Sequence, residues 1–119
     1  SPLGSLFSIP HGIACGTMLA AATRATIRKL VTNGEDRFLQ KYARLGALFT
    51  GCDMRETGRA CERFVELLEE WTELLRMPRL SPFGVKKEDF GLIIAESGNK
   101  NNPAKLNSEE ISEILSNRL

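Results

Sequence analysis

The sequence has one histidine, one tryptophan and one tyrosine in 119 residues. A lone imidazole cannot form a metal pair or a catalytic dyad with a second histidine of its own chain. The three cysteines, Cys15, Cys52 and Cys61, are odd in number, and no two show CxxC spacing. They read as free thiols in a reducing compartment, which argues against a disulfide framework or a cysteine-based zinc site. An excess of one charge is also missing: 16 Lys and Arg face 15 Asp and Glu, for a net charge of +1. That balance gives no electrostatic case for nucleic acid or for an anionic membrane as partner. No apolar run nears the roughly 20 residues of a membrane helix. There is no internal repeat, no low-complexity tract and no period-2 alternation, so no sheet is expected. Methionine does not open the chain and no signal peptide does either, so the start at Ser1 is expected to be a cut end. "SPLGS" reads either as the scar of a purification tag or as native sequence.

What is present is helical periodicity in a chain long enough for a real core, 42% hydrophobic and 26% charged. A first helix is expected from about Pro10 to Leu30, with proline suited to its first turn. From Ile13 to Ala22 it is apolar or small on every side, the pattern of a helix buried all round. Such a surface predicts an exposed apolar patch and self-association when the chain is isolated. "TNG" at Thr32–Gly34 ends it. A second helix is expected from about Glu35 to Phe49, with Phe38, Leu39, Tyr42, Leu45 and Phe49 at helical spacing, stopped by Gly51. A third is expected from about Asp53 to Met77. Its core stripe is Phe64, Leu67, Leu68, Trp71, Leu74 and Leu75, its solvated row is Glu62, Glu66, Glu69, Glu70 and Glu73, and Pro78 ends it. A short helix is expected near Lys87–Glu96. A last one follows Asn107 or Ser108, with acids in its first turn. The fold class is therefore all-α, with about five to six helices, in one domain spanning residues 1–119.

The chemistry concentrates on "SIPHG", Ser8–Gly12. From the residues alone, His11 is either a hydrogen-bonding group at a helix start or one ligand of a metal whose other ligands lie elsewhere, since such sites take three or four protein ligands. Cys15, one turn on, is expected to be a core thiol. "SGNKNNP" at Ser97–Pro103 lacks the phosphate-loop pattern and reads as a turn.

The stretch "PLGSLFSIPHGIACGTML" resembles the segment that opens the C-terminal helical domain of iron-dependent (group III) alcohol dehydrogenases. Pro2, Leu3 and Gly4 match the end of that family's His-Gly-x-Ala-x-Pro-Leu-Gly motif, and Pro10, His11 and Gly12 match its Pro-His-Gly. "KYARLGALFTG", "GVKKEDFGLIIAES" and "NNPAKLNSEEISEIL" resemble later helices, so the likeness covers the whole chain and favours "SPLGS" as native.

The resemblance implies the helical C-terminal half of a two-domain enzyme, with the nucleotide-binding domain absent. The implied metal, iron(II) or zinc, is held by one aspartate and three histidines. His11 is similar to the last of these, and the other three would lie upstream of Ser1. The implied reaction interconverts a small alcohol and its aldehyde or ketone. The metal acts as Lewis acid toward the alcohol oxygen, and hydride passes to NAD or NADP. On this likeness no residue of the chain is catalytic in its own right, and the cofactor-binding residues are unassigned. Leu6 and Phe7 fall beside the substrate, and the Ser97–Pro103 loop approaches the cleft. Some members carry a further histidine, not a metal ligand, where this chain has Ser1, so no proton-relay group is assigned. The intact enzyme is expected to be a cytoplasmic homo-oligomer, and the isolated chain inactive. The competing expectation is a free-standing, non-catalytic helical interaction module in which His11 is structural.

Overall fold

The computed structural model describes residues 2–97 and 104–119. The helices are α1 (Pro2–Phe7), α2 (His11–Asn33), α3 (Asp36–Thr50), α4 (Thr57–Leu74), α5 (Phe90–Glu96) and α6 (Ser108–Asn117). Short 3-10 turns at Ser81–Phe83 and Lys87–Asp89 join α4 to α5. No strand occurs among the described residues, as the missing alternation predicts.

The helix ends follow local chemistry. Gly34 and Gly51 take the left-handed conformation at the ends of α2 and α3, with φ of 68° and 74°. A Cβ makes that conformation costly, so glycine stops both helices. At α6 the Asn107 side chain accepts from the Glu110 N–H, and the Asn107 N–H donates back to the Glu110 carboxylate, both at 2.8 Å. This reciprocal cap pairs two backbone donors that a helix start leaves open.

Helix α2 is the central element and contacts α1, α3, α4 and α6. Ala14, Thr17, Ala20, Thr23, Thr26 and Leu30 are its buried residues. They recur at three- and four-residue steps and so line one face. Burial all round, expected only within a larger assembly, is not tested by this chain alone, and the exposed apolar surface expected of the isolated chain is present. Cys15 and Leu19 lie exposed on the other side, because the neighbouring helices cover one face and leave the opposite one open.

Three apolar clusters hold the helices. The first joins Leu3, Ile9, Ala14, Leu80, Val85, Phe90, Ile93 and Leu115. The second joins Leu30, Leu39, Ala43, Ala60, Cys61 and Ala104, and the third Ala20, Phe64 and Leu68. Where α3 meets α4, Gly46 lies directly against the backbone of Ala60, and a Cβ on Gly46 would collide with the Ala60 carbonyl.

Polar ties cross the same helices. Arg24 of α2 pairs with Glu62 at 3.1 Å and Glu69 at 2.7 Å, both on α4. Lys29 pairs with Glu110 of α6 at 2.9 Å.

The α4 stripe departs from expectation at its far end. Phe64 and Leu68 are buried, but Leu74 and Leu75 are 77% and 73% exposed and Trp71 is 39% exposed. The helix closes at Leu74, and Arg76 turns the chain with a φ of 51°; Thr72 stays buried in the last turn, while Leu74 and Leu75 point to its open side. Trp71 instead meets the ring of Phe49 edge-on, with centroids 5.6 Å apart. The helix also starts later than Asp53. Asp53 makes a local turn in which its carboxylate accepts from the Arg55 N–H at 2.9 Å, the usual competition of short acidic side chains with helix formation. Helix α1 adds an element to the expected set.

Candidate metal-binding corner

The candidate site is the corner between α1 and α2. Helix α1 ends at Phe7, and Ser8 takes a left-handed conformation with φ 57°. The Ser8 N–H donates to the Gly4 carbonyl at 3.0 Å, which closes the turn. Backbone of this kind is rare outside glycine, and it recurs where geometry serves a site. Ile9 follows, 2% exposed. A Cβ on Gly4 would sit 3.3 Å from the Ile9 carbonyl oxygen, so the missing side chain lets α1 and the Ile9 backbone lie close. Pro10 is extended, with ψ 138°, and α2 begins at His11. Proline fits here because the first turn does not need its N–H.

Burial sets the direction of His11. Ile9 on one side and Ala14 on the other are both in the first apolar cluster, with Leu3 beneath. With those three side chains anchored inward, His11 stands in solvent. Cys15 lies one turn further along and is exposed too. Its Sγ is 3.5 Å from His11 Nε2 and 3.9 Å from Nδ1. The core assignment of Cys15 is thereby overturned: the position faces away from α4 and α6, and an apolar neighbourhood in sequence did not give it a covered neighbourhood in space. Leu19, two turns from His11 on the same face, is 51% exposed. Beside that face the Met77 methyl lies over Gly16, 2.5 Å from where a Cβ would be.

The other positions singled out divide between surface and interior. Leu6 is 41% exposed at the end of α1. Phe7 is half-buried and packs against the first apolar cluster. Ser1 and residues 98–103, the bulk of the "SGNKNNP" loop, lie outside the described residues. Among the described residues no three His, Cys, Asp or Glu side chains converge on a point where a metal could sit. No described helix is long and apolar enough to cross a membrane.

The sequence pattern "Fe-containing alcohol dehydrogenase family, C-terminal" matches residues 1–119. The chain belongs to the iron-containing alcohol dehydrogenase family. A solved structure described as "Crystal structure analysis of 1,3-propanediol oxidoreductase" superposes with a TM-score of 0.75 at 28% sequence identity. That match covers 99% of this chain and 30% of the other. No curated protein matches the chain significantly. As the C-terminal part of an iron-dehydrogenase fold, this all-helical chain bears out both the fold class and the family resemblance read from the sequence.

The family's name implies iron, so the donors present bear on the fit. A transition metal takes several protein ligands, and imidazole suits both iron and zinc. The corner offers one exposed imidazole at the first residue of α2. That imidazole fits one position of a coordination shell, which other residues must complete.

Proposed function

We propose that residues 1–119 form the helical, metal-binding domain of an enzyme that interconverts a small alcohol and its aldehyde or ketone, with NAD or NADP as cofactor. In this reading His11 gives one ligand to iron(II) or zinc, and a separate nucleotide-binding domain supplies the rest of the site. The observation that carries it is the family match over the whole chain, on a sequence whose one imidazole is exposed at the first residue of α2.

The chain's own residues have limited and definite tasks in this scheme. His11 contributes a ring nitrogen lone pair. Ile9 and Ala14, pinned in the core, hold the helix start so that the imidazole is presented without a large loss of freedom on binding. Leu6 and Phe7 give an apolar flank on the α1 side, suited to the carbon skeleton of a small alcohol. A metal held at this corner supplies Lewis acidity toward a substrate oxygen, and the nicotinamide supplies the hydride acceptor. The exposed apolar side chains Leu48, Phe49, Trp71, Leu74 and Leu75 support further contact with protein, in keeping with an attached domain and a homo-oligomer. Three free thiols support a reducing, cytoplasmic setting.

The test uses the intact gene product, supplied with iron(II) or zinc and assayed against small alcohols with NAD and NADP. Metal-dependent nicotinamide reduction is expected, and His11→Ala should abolish it while the circular dichroism spectrum is unchanged. A reading frame that begins a few residues before Ser1, with no such activity, would overturn the proposal and favour a non-catalytic interaction module.

A further inference from the structure

A cavity of about 290 Å³ lies between α2, α4 and the C-terminal residues, with Ala20 and Ala21 of α2 on its wall and Arg79 and Arg118 beside them. The reading of His11 gives neither arginine a task. A small apolar wall with a few converging polar groups is the usual make-up of a small-molecule site.

Arg118 is 8% exposed. Its Nε donates to the Thr17 hydroxyl and its Nη2 to the Met77 carbonyl, each at 2.9 Å. A guanidinium carries five N–H donors, and Nη1 meets no partner among the described residues. No described side-chain nitrogen or oxygen is sealed from solvent without a partner, so Nη1 faces the opening that Arg118 lines. Arg79 brings a second guanidinium to the same wall. Its Nη1 donates at 3.3 Å to the carbonyl of Asn117, the residue just before Arg118.

Two carboxylates also line the cavity, Glu69 and Glu73. Glu69 is taken by Arg24 at 2.7 Å. Glu73 forms no ion pair among the described residues. Two guanidiniums against one unpaired carboxylate leave the cavity one positive charge. A monoanion cancels that charge, whereas a dianion such as phosphate would set surplus negative charge beside Glu73. The planar guanidinium fork matches the two oxygens of a carboxylate, and the alanine wall suits a short alkyl chain.

We propose that this cavity binds a small aliphatic monocarboxylate, with its oxygens on Arg118 Nη1 and the Arg79 guanidinium and its alkyl end against Ala20 and Ala21. The inference needs neither a metal nor His11.

The experiment titrates the intact gene product calorimetrically with propionate, with its neutral counterpart propionamide and with inorganic phosphate, at one pH and one ionic strength. Wild type is compared with Arg79→Met, Glu73→Gln, Arg118→Lys, His11→Ala and Arg44→Met, the last as a control on the outer surface of α3. Circular dichroism checks that each variant keeps its helices. Saturable propionate binding is expected in the wild type, with propionamide and phosphate each weaker by about tenfold or more. Arg79→Met should weaken propionate by about tenfold, and Arg118→Lys should weaken it by keeping the charge and losing the fork. Glu73→Gln should tighten it about threefold by removing a like charge. Arg44→Met and His11→Ala should bind as wild type. Propionamide or phosphate binding as tightly as propionate would overturn the monocarboxylate assignment. Binding unchanged in Arg79→Met, or lost in His11→Ala, would overturn this cavity as the site, and wild type with no saturable propionate binding would overturn the proposal while leaving the His11 reading intact.

Discussion

The guanidinium of Arg118 reaches the hydroxyl of Thr17 across 101 residues of chain, Nε to Oγ1 at 2.9 Å. The same hydroxyl donates to the Pro78 carbonyl at 2.7 Å, and Arg118 Nη2 donates to the Met77 carbonyl at 2.9 Å. Thr17 is 1% exposed and Arg118 8%. Burial holds the Arg118 guanidinium below its ordinary pKa, Arg79 adds to the shift, and Glu73 opposes it. The network locks α2, the chain after α4 and the C-terminal residues into one unit.

Thr17→Val keeps the shape and removes the hydroxyl. A buried, charged donor is left without its acceptor, which should cost about 2–3 kcal/mol. Arg118→Met should cost less, because apolar replacement of a buried charge removes its desolvation penalty. In urea denaturation the double variant should be more stable than the sum of the two single losses implies, since both act on one network.

Gly46→Ala sets helix propensity against packing. Alanine would gain up to about 1 kcal/mol in a free helix, but the new methyl would strike the Ala60 backbone, which cannot rotate away. Overpacking of this kind costs about 1–3 kcal/mol, and a lower urea midpoint is expected. Gly58→Ala provides the contrast. No atom lies within 4 Å of that Cβ, and a gain of about 0.5 kcal/mol is expected.

Glu110 should shape the acid limb of the stability curve. The Asn107 N–H holds its carboxyl below the usual carboxylate range, and Lys29 adds to this. The folded state therefore keeps the carboxylate ionised to lower pH than the unfolded chain does. Its stabilisation is present above the ordinary carboxylate range and fades as pH falls toward the depressed folded value. Thermal melts from pH 6 down should show a shallower acid loss in Glu110→Gln, which starts from a lower plateau.

Tyr42 should shape the alkaline limb. Burial pushes its phenol above the ordinary value, and Cys61 adds to the shift. The unfolded chain ionises first as pH rises, so stability should fall once pH passes the free phenol value of about 10. Because the sequence has one tyrosine, ultraviolet titration reports this group without interference. Tyr42→Phe should remove both the titration and that part of the alkaline loss.

Local signals with a short-range cause were legible in the sequence. Gly34 and Gly51 stop helices because their backbone is left-handed, and Asn107 caps because its partner Glu110 is three residues away. Signals that depend on what lies opposite were harder to read. Leu74 and Leu75 keep the stripe's spacing, yet both are exposed at the end of α4. Cys15 is set among apolar residues but faces solvent. Helix α1 has only six residues, one of them Gly4, too short for periodicity to register. At the candidate site His11 stood out because it is alone. The 3.5 Å approach of Cys15 was visible only as a four-residue spacing until a helix gave it direction.

Leu115, near the end of the chain, shares the first apolar cluster with Leu3, Ile9 and Ala14. On the ribosome, the underside of the His11 corner therefore waits for the last helix to emerge. Until then the nascent chain carries an open greasy notch beneath the His11 corner, a surface of the kind that chaperones hold. Premature termination anywhere before α6 should thus yield a polypeptide marked for disposal rather than a smaller working domain.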